Sequence, residues 1–280
     1  MKAVECLGVT KNYGKKAVVD GINLSLEENK IYGLLGRNGA GKTTLLNIIA
    51  ALIKEDQGQV KVFEEIVFDN EKILNQICFV TDRMTYMSNL KVSKIFRLAQ
   101  GFFENWDEEF KNQLIERFKL EENKKYRRLS KGMQALVGII IGLAARSPLT
   151  IFDEAYSGLD AAARESFYKI LLKDYIDNPR TIIFSTHLID EVSNLFEEII
   201  IIDKGKLLLQ EDMNTINEKS FEIWGDETEI DKTIIGKRVL KTETVGRSKK
   251  AFIFDYIEEE HNIKLKRMSL QDLFINITNE

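Results

Sequence analysis

A glycine-rich segment restricts the possible folds of this chain more than any other feature. It runs Gly36-Arg37-Asn38-Gly39-Ala40-Gly41-Lys42-Thr43, and it lies between an apolar run at 31–35 and a helical pattern at 44–50. Glycines let a backbone wrap closely around a polyphosphate with its N–H groups pointing inward. The N-terminus of the following helix adds a partial positive charge. The spacing therefore predicts a strand, a phosphate loop and a helix, and with them a nucleoside triphosphate site.

The residue types at the end of the loop suit this chemistry. Lys42 would reach the β- and γ-phosphates, and the hydroxyl of Thr43 would hold Mg²⁺. The other residues that we assign to phosphate binding are Gly36, Arg37, Asn38, Gly39, Ala40, Gly41 and Thr44.

An acid pair follows the apolar run at 149–152, as Asp153 and Glu154. A strand buried on both faces would place these carboxylates at its C-terminal end, where α/β sheets bind their ligands. We expect Asp153 to hold Mg²⁺ through water and Glu154 to act as the general base on the attacking water. Without the phosphate loop, the same pattern equally describes a strand that ends in two solvated acids.

Other polar segments are ambiguous when they are considered alone. Ser130 is a suitable N-cap for the apolar helical pattern at 133–145, and Gly132 permits an anion to approach the helix end. The segment 157–160 has the composition of a turn. His187 follows a strand pattern at 181–185, where it could donate a hydrogen bond to a γ-phosphate.

The hydrophobic pattern predicts an α/β fold with additions. Residues 1–30 alternate as antiparallel strands do, and strand and helix patterns then alternate as in a parallel sheet flanked by helices. A helical insertion is predicted at about 83–145, with Asp107 as the N-cap of its second helix. Beyond about residue 215, short strand patterns and a capping box at 269–272 predict a small C-terminal α+β domain over 216–280.

Composition excludes several classes of function. The net charge is −4 and there is no long block of Lys or Arg, so we expect no nucleic-acid partner. Both cysteines, Cys6 and Cys78, lie in strand patterns, which favours packing roles in a reducing, cytosolic setting. The longest apolar run, 136–145, is about half of what a bilayer span requires. A role at the membrane would therefore depend on a partner.

Taken in order, these motifs resemble those of the ATP-binding cassette (ABC) ATPases over about residues 1–215. The resemblance implies a RecA-like P-loop NTPase core with an N-terminal antiparallel β subdomain and an inserted α-helical subdomain. It also implies ATP and Mg²⁺ as ligands, catalysis by Glu154, His187 and Lys42, and stacking of Tyr13 on adenine. The segment Leu129–Met133 resembles the family signature Leu-Ser-Gly-Gly-Gln, with Ser130 and Gly132 retained.

The sequence departs from the family pattern in two motifs. Lys131 and Met133 replace the third and fifth residues of the signature. Where the family normally has a glutamine that senses Mg²⁺, this chain has Asp82. Aspartate is shorter and anionic, so we assign Asp82 to the metal site together with Thr43 and Asp153.

The family mechanism implies two ATPase subunits packed head to tail, each ATP lying between one phosphate loop and the Ser130 and Gly132 of the other subunit. The pair, a homodimer or a heterodimer, would drive an integral membrane subunit at the cytoplasmic face of the cell membrane. The segment 105–107, the Ser-Lys-Gly-Met variant and the C-terminal domain resemble Gram-positive bacterial exporters of antimicrobial or amphipathic peptides.

Two other functions share part of this chemistry. A soluble ABC-type ATPase of translation or DNA maintenance usually has two cassettes or a long coiled-coil insertion, and neither is present in this chain. A small-molecule kinase would use the phosphate loop but has no use for Ser130, Gly132 or His187. We therefore favour the exporter subunit.

Overall fold

The computed structural model describes residues 1–82, 87–257 and 262–279, and the described residues form three β-sheets. The first sheet consists of β1 (Lys2–Tyr13), β2 (Lys16–Glu27), β4 (Gln57–Val62) and β5 (Glu65–Ile66). These strands are antiparallel in the order β2-β1-β4-β5. The prediction of antiparallel strands within residues 1–30 is confirmed.

The second sheet positions the phosphate loop. Its strands are β3 (Ile31–Leu35), β6 (Ile77–Thr81), β7 (Leu149–Asp153), β8 (Thr181–Thr186), β9 (Glu198–Asp203) and β10 (Lys206–Asp212). They lie in the order β10-β9-β3-β8-β7-β6, and every neighbouring pair except β9 and β10 is parallel. The strands β3, β7 and β8 are buried along their whole length, as continuous apolar runs in a covered parallel sheet should be.

Helices cover this sheet and fill the predicted insertion. They are α1 (Lys42–Ile49), α2 (Glu71–Leu74), α3 (Val92–Phe102), α4 (Glu108–Phe118), α5 (Lys131–Ala144), α6 (Ala161–Asp177) and α7 (Ile189–Val192). The carboxylate of Asp107 accepts a hydrogen bond from the Phe110 N–H at 2.8 Å, which confirms the predicted N-cap of α4. Residues 83–86, at the predicted start of the insertion, lie outside the described residues.

Close contact with the sheet determines where α5 lies. A Cβ added to Gly142 would lie 2.6 Å from the ring of Phe152 on β7, so only glycine allows this approach. The N-terminal end of α5 is capped by Ser130, whose hydroxyl accepts from the Met133 N–H at 3.3 Å. The position of Ser130 therefore depends on packing that the whole of α5 makes with the sheet.

The remaining elements form the third sheet and the helices around it. They are α8 (Met213–Lys219), β11 (Ser220–Asp226), α9 (Glu227–Thr233), β12 (Val239–Val245), β13 (Ser248–Phe254), β14 (Lys264–Arg267) and α10 (Leu270–Thr278). The strands are antiparallel in the order β12-β13-β11-β14. The predicted capping box is present at Ser269 and Asp272, whereas β14 was not predicted.

The two faces of the third sheet belong to different cores. One face packs with Ile230 of α9 in a small separate cluster. On the other face Phe252 and Phe254 join the large core that also contains Ile189 and Val192 of α7. The C-terminal segment is therefore packed against the rest of the chain through shared apolar contacts. Within the described ranges, no helix is long and apolar enough to cross a membrane.

Candidate active site

The C-terminal ends of three neighbouring strands bring the predicted site residues together. In the register of the sheet, Leu35 of β3 pairs with Thr186 of β8, and Asp153 of β7 pairs with Ser185. The phosphate loop follows β3 directly, the acid pair ends β7, and His187 follows β8. This is the strand edge at which α/β sheets bind their ligands.

Glycine is required where the phosphate loop approaches other backbone segments. Gly41, which precedes α1, has φ of +107°, and a Cβ there would lie 2.5 Å from the carbonyl oxygen of Val18. A Cβ at Gly36 would lie 2.6 Å from the carbonyl oxygen of Ile202. Both positions therefore exclude a side chain, and the loop remains open to a ligand on its other side.

Lys42 is a buried cation at the base of the loop. Its side chain is 5% exposed, and its Nζ donates a hydrogen bond to the Gly36 carbonyl at 2.7 Å. Burial lowers the pKa of Lys42, although the nearby carboxylates of Glu154 and Asp153 act in the opposite direction. Any further negative charge in the loop, such as that of a polyphosphate, would stabilise the charged form of this buried ammonium group.

Asp153 is a buried carboxylate that fits a cation. Burial raises its pKa, while the hydroxyls of Thr43 and Ser185 partly offset that effect. Its Oδ1 has no hydrogen-bond partner among the described residues. No cluster of three or more His, Cys, Asp or Glu able to hold a metal occurs in the described part of the chain. Mg²⁺ commonly takes one or two carboxylates and completes its shell with phosphate oxygens and water, so the residues present fit this ion.

Glu154 lies between the two other predicted catalytic side chains. Its Oε1 is 3.7 Å from the Nζ of Lys42, and its Oε2 is 3.5 Å from the Nδ1 of His187. The backbone of Glu154 is left-handed, with φ of +48°, a conformation that costs free energy in a residue other than glycine and is common at active sites. The structure therefore brings Lys42, Glu154 and His187 into one cluster.

A cleft of about 520 Å³ opens onto this cluster. Its lining consists of Val18, Arg37, Asn38, Gly39, Ala40, Gly41, Lys42, Thr43, Thr44, Thr81, Asp82, Asp153 and Glu154. Asp82 thus shares the cleft with Thr43 and Asp153. Tyr13 does not line the cleft in the described structure; it ends β1 and is 54% exposed.

Ser130 and Gly132 lie in a different cleft, of about 650 Å³, whose lining also includes Gly158 and Asp160. A Cβ at Gly132 would lie 2.8 Å from the carbonyl oxygen of Gly158. No described residue lines both clefts. Within one chain, the structure therefore does not bring Ser130 and Gly132 to the phosphate loop.

Two contacts at the site were not predicted. The Tyr156 hydroxyl lies 2.7 Å from the Thr186 Oγ1, next to His187. The guanidinium group of Arg37 donates a hydrogen bond to the side-chain oxygen of Asn279, directly after α10. Both contacts join residues far apart in the chain, and we find no local pattern in the sequence that would have revealed them.

The fold and this site together define a nucleotide-binding protein of the P-loop class. Comparison with known proteins identifies the family within that class. The family model for "ABC transporter" matches residues 19–157. The bacitracin transport ATP-binding protein BcrA of Bacillus licheniformis is 31% identical over 73% of this chain and 68% of its own length. The uncharacterized ABC transporter ATP-binding protein MJ1023 of Methanocaldococcus jannaschii is 34% identical over 71% of this chain and 73% of its own length.

A solved structure shows the same architecture. The dimeric post-hydrolysis state of the ATP-binding cassette MJ0796, bound to ADP and Pi, matches with a TM-score of 0.65 and 25% identity. The match covers 75% of this chain and 98% of that one. This chain belongs to the ATP-binding proteins of ABC transporters. Proteins of this family hydrolyse ATP, form dimers and act with membrane subunits.

Proposed function

We propose that this chain is the ATP-hydrolysing subunit of an ABC exporter, bound to a separate membrane subunit at the cytoplasmic face of the cell membrane. The observation that supports this proposal best is the cluster of Lys42, Glu154 and His187 beside the phosphate loop. The Glu154 carboxylate lies 3.7 Å from the Nζ of Lys42 and 3.5 Å from the Nδ1 of His187. A phosphate-binding cation and a potential base are thus in place at one end of the cleft.

Each residue of the cluster has a distinct role in the proposed reaction. Lys42 exchanges its bond with the Gly36 carbonyl for oxygens of the β- and γ-phosphates. Glu154 takes a proton from the water that attacks the γ-phosphate, and His187 donates a hydrogen bond to that phosphate. Backbone N–H groups of the loop and the N-terminus of α1 bind the remaining phosphate oxygens.

Contacts with Mg²⁺ and with the adenine ring complete the proposed site. Thr43 and Asp153 would hold Mg²⁺, and Asp82 would contact it through water from the same cleft. When bound, Mg²⁺ would neutralise part of the charge on the phosphates. The exposed ring of Tyr13 would stack on adenine.

The second cleft supports a head-to-tail pair of subunits. Among the described residues, Ser130 and Gly132 line a cleft separate from the one at the phosphate loop. Paired with another subunit, they would meet the γ-phosphate of the ATP bound there. ATP binding would then close the pair, and hydrolysis would reopen it to drive the membrane subunit. The proposed partner is either a second copy of this chain or a related ATPase subunit.

The transported substrate is proposed by similarity. BcrA, which is similar over most of this chain, is named for bacitracin transport. The Ser-Lys-Gly-Met variant at 130–133 and the C-terminal segment favour the same kind of exporter. We therefore propose amphipathic or antimicrobial peptides as the substrate class. We further propose that residues 216–280 stabilise the pair of subunits or their docking rather than contact ATP.

Release of inorganic phosphate from ATP tests the enzymatic part of this proposal. The purified chain should release phosphate only with Mg²⁺, and a Lys42→Ala variant should not. Phosphorylation of an added acceptor without free phosphate would instead indicate a kinase. Purification of the tagged chain in detergent from its own cells should recover a multi-span membrane protein, and its consistent absence would contradict the transporter role.

A further inference from the structure

Tyr156 makes a buried hydrogen-bonded link between the acid pair and His187. It is two residues beyond Glu154 and 1% exposed. Its hydroxyl lies 2.7 Å from the Thr186 Oγ1 and accepts a hydrogen bond from the His187 N–H at 3.3 Å. The Thr186 hydroxyl in turn accepts from the Leu188 N–H at 2.9 Å. The backbone N–H groups of His187 and of the next residue are therefore both held by this pair of hydroxyls.

Aromatic packing determines the position of the Tyr156 ring. The ring stacks on Phe184 of β8, with centroids 5.7 Å apart and planes within 6° of parallel. The imidazole of His187 lies 6.1 Å from the same ring. Burial raises the pKa of Tyr156 to about 12, so its hydroxyl keeps its proton at neutral pH. The packed ring and the protonated hydroxyl therefore keep this hydrogen-bonding group in place beside His187.

We propose that Tyr156 is a positioning residue that holds His187 in register with Glu154. Glu154 and His187 follow separate strands, β7 and β8, and the Glu154 N–H donates a hydrogen bond to the Ser185 carbonyl at 3.3 Å, two residues before His187. The Tyr156 hydroxyl joins the turn after β7 to the end of β8, and the imidazole then lies 3.5 Å from the Glu154 carboxylate. This inference rests on the proposed ATPase function, in which His187 contacts the γ-phosphate.

The same core contains a matched control. Tyr168 is also buried, at 7% exposure, and its ring lies 6.5 Å from that of Tyr156. Its hydroxyl has no hydrogen-bond partner among the described residues. Tyr156→Phe and Tyr168→Phe therefore delete the same atom from neighbouring places, and only the first deletion removes the link to His187.

Steady-state kinetics test the inference. We expect Tyr156→Phe to lower kcat roughly 3- to 10-fold with the KM for ATP unchanged, since one or two net hydrogen bonds are lost. Tyr168→Phe should change neither constant. In a His187→Ala background, Tyr156→Phe should cause no further loss, because the group that it positions is gone. Thr186→Val should resemble Tyr156→Phe, and Thr186→Ser should retain activity.

A second measurement does not depend on hydrolysis. The chain has two histidines, His187 and His261, so selective labelling gives two backbone amide signals in NMR spectra. Tyr156→Phe should shift the His187 signal and speed its hydrogen exchange roughly fivefold, while the His261 signal and Tyr168→Phe serve as references. A parent chain that releases no phosphate would reject the proposed function, and the histidine signals would still decide this inference. Equal behaviour of the two Tyr→Phe variants, or an equal loss in the His187→Ala background, would overturn it.

Discussion

The phosphate-loop cleft and the Ser130 cleft differ in how complete they are within one chain. The first contains buried Lys42 and Asp153, and Glu154 is in contact with two partners. The second presents an exposed Ser130, whose hydroxyl caps its own helix. The first cleft is thus organised by the fold of one subunit, whereas the second presents exposed polar side chains, among them Ser130 and Lys131. This difference agrees with our proposal that the second cleft contacts a nucleotide bound to another subunit.

The two clefts also differ in what their charges cost the ligand-free protein. Burial shifts the pKa of Lys42 downward and that of Asp153 upward, so each charged form is disfavoured. The Ser130 cleft is different. Its polar residues Ser130 and Asp160 are exposed, and each caps a helix. We therefore expect the functional groups of the first cleft to lower the stability of the ligand-free fold, and we expect no such effect from Ser130 and Asp160 in the second cleft.

The largest expected effect concerns the base in the first cleft. Glu154→Gln keeps the shape of the side chain but removes its ability to accept a proton. Loss of general-base catalysis typically lowers rates about 10²–10⁴-fold. Phosphate release should fall by this amount while ATP binding, measured by calorimetry, is retained. The exposed pair partner of Arg164, Glu191, provides a control: Glu191→Gln should keep most of the activity. A Glu154→Gln variant of normal rate would show that another group is the base.

The next effect concerns Asp82. If it contacts Mg²⁺ through water, Asp82→Ala should raise the Mg²⁺ concentration needed for half-maximal hydrolysis about tenfold. Asp82→Gln, which introduces the residue usual in the family, should need less Mg²⁺ than Asp82→Ala. A titration in which Asp82→Ala has the Mg²⁺ dependence of the parent would remove Asp82 from the metal site.

A smaller effect is expected on stability. The raised pKa of Asp153 means that the folded protein binds its proton more tightly than the unfolded chain does, so stability falls as pH rises from the ordinary aspartate range through the raised pKa. At neutral pH the buried carboxylate, with Oδ1 unpartnered among the described residues, costs about 1–3 kcal/mol.

Asp153→Asn should therefore raise the Tm of the nucleotide-free protein at pH 7, by about 2–4 °C for each kcal/mol recovered. The gain should disappear in acid, where the wild-type carboxyl is protonated in both the folded and the unfolded state. Asp190→Asn, at an exposed position, is the control. A lower Tm for Asp153→Asn at pH 7 would mean that the carboxylate stabilises the ligand-free fold.

The smallest effect is expected at the C-terminal segment. Phe252 and Phe254 belong to the large core, so deletion of residues 216–280 would expose apolar surface. A loss of ATP binding after such a deletion could then result from misfolding. Asn279→Ala removes only the exposed contact with Arg37. If the segment does not contribute to ATP binding, the Kd for ATP should stay within about twofold of the parent value. Asn217→Ala is a matched control, and a much larger change specific to Asn279→Ala would assign the segment to the nucleotide site.

Local features of the sequence predicted most of the fold and the phosphate-loop cleft. Apolar runs identified β3, β7 and β8, and the caps Asp107 and Ser130 are interactions within a few residues of the chain. These features depend on local backbone chemistry, so a single sequence suffices to find them.

Contacts between distant residues were less accessible. The links of Tyr156 to Thr186 and of Arg37 to Asn279 depend on how strands and helices pack, and residue type alone does not specify them. For the same reason β14, whose partner β11 lies far back in the chain, was not predicted. The roles of Tyr13 and Asp82 and the boundary near residue 215 remain predictions.

The comparison of the two clefts is tested most directly by the ATP-dependent association of subunits. Glu154→Gln binds ATP without consuming it, so chromatography with light scattering should show a dimer with ATP and a monomer without it. Adding Ser130→Arg places a bulky side chain in the second cleft and should abolish that dimer while ATP binding to the monomer persists. Adding Asn112→Arg instead, at an exposed position of α4 outside the C-terminal segment, should leave the dimer intact. A Glu154→Gln, Ser130→Arg double variant that still dimerises with ATP would contradict the head-to-tail arrangement.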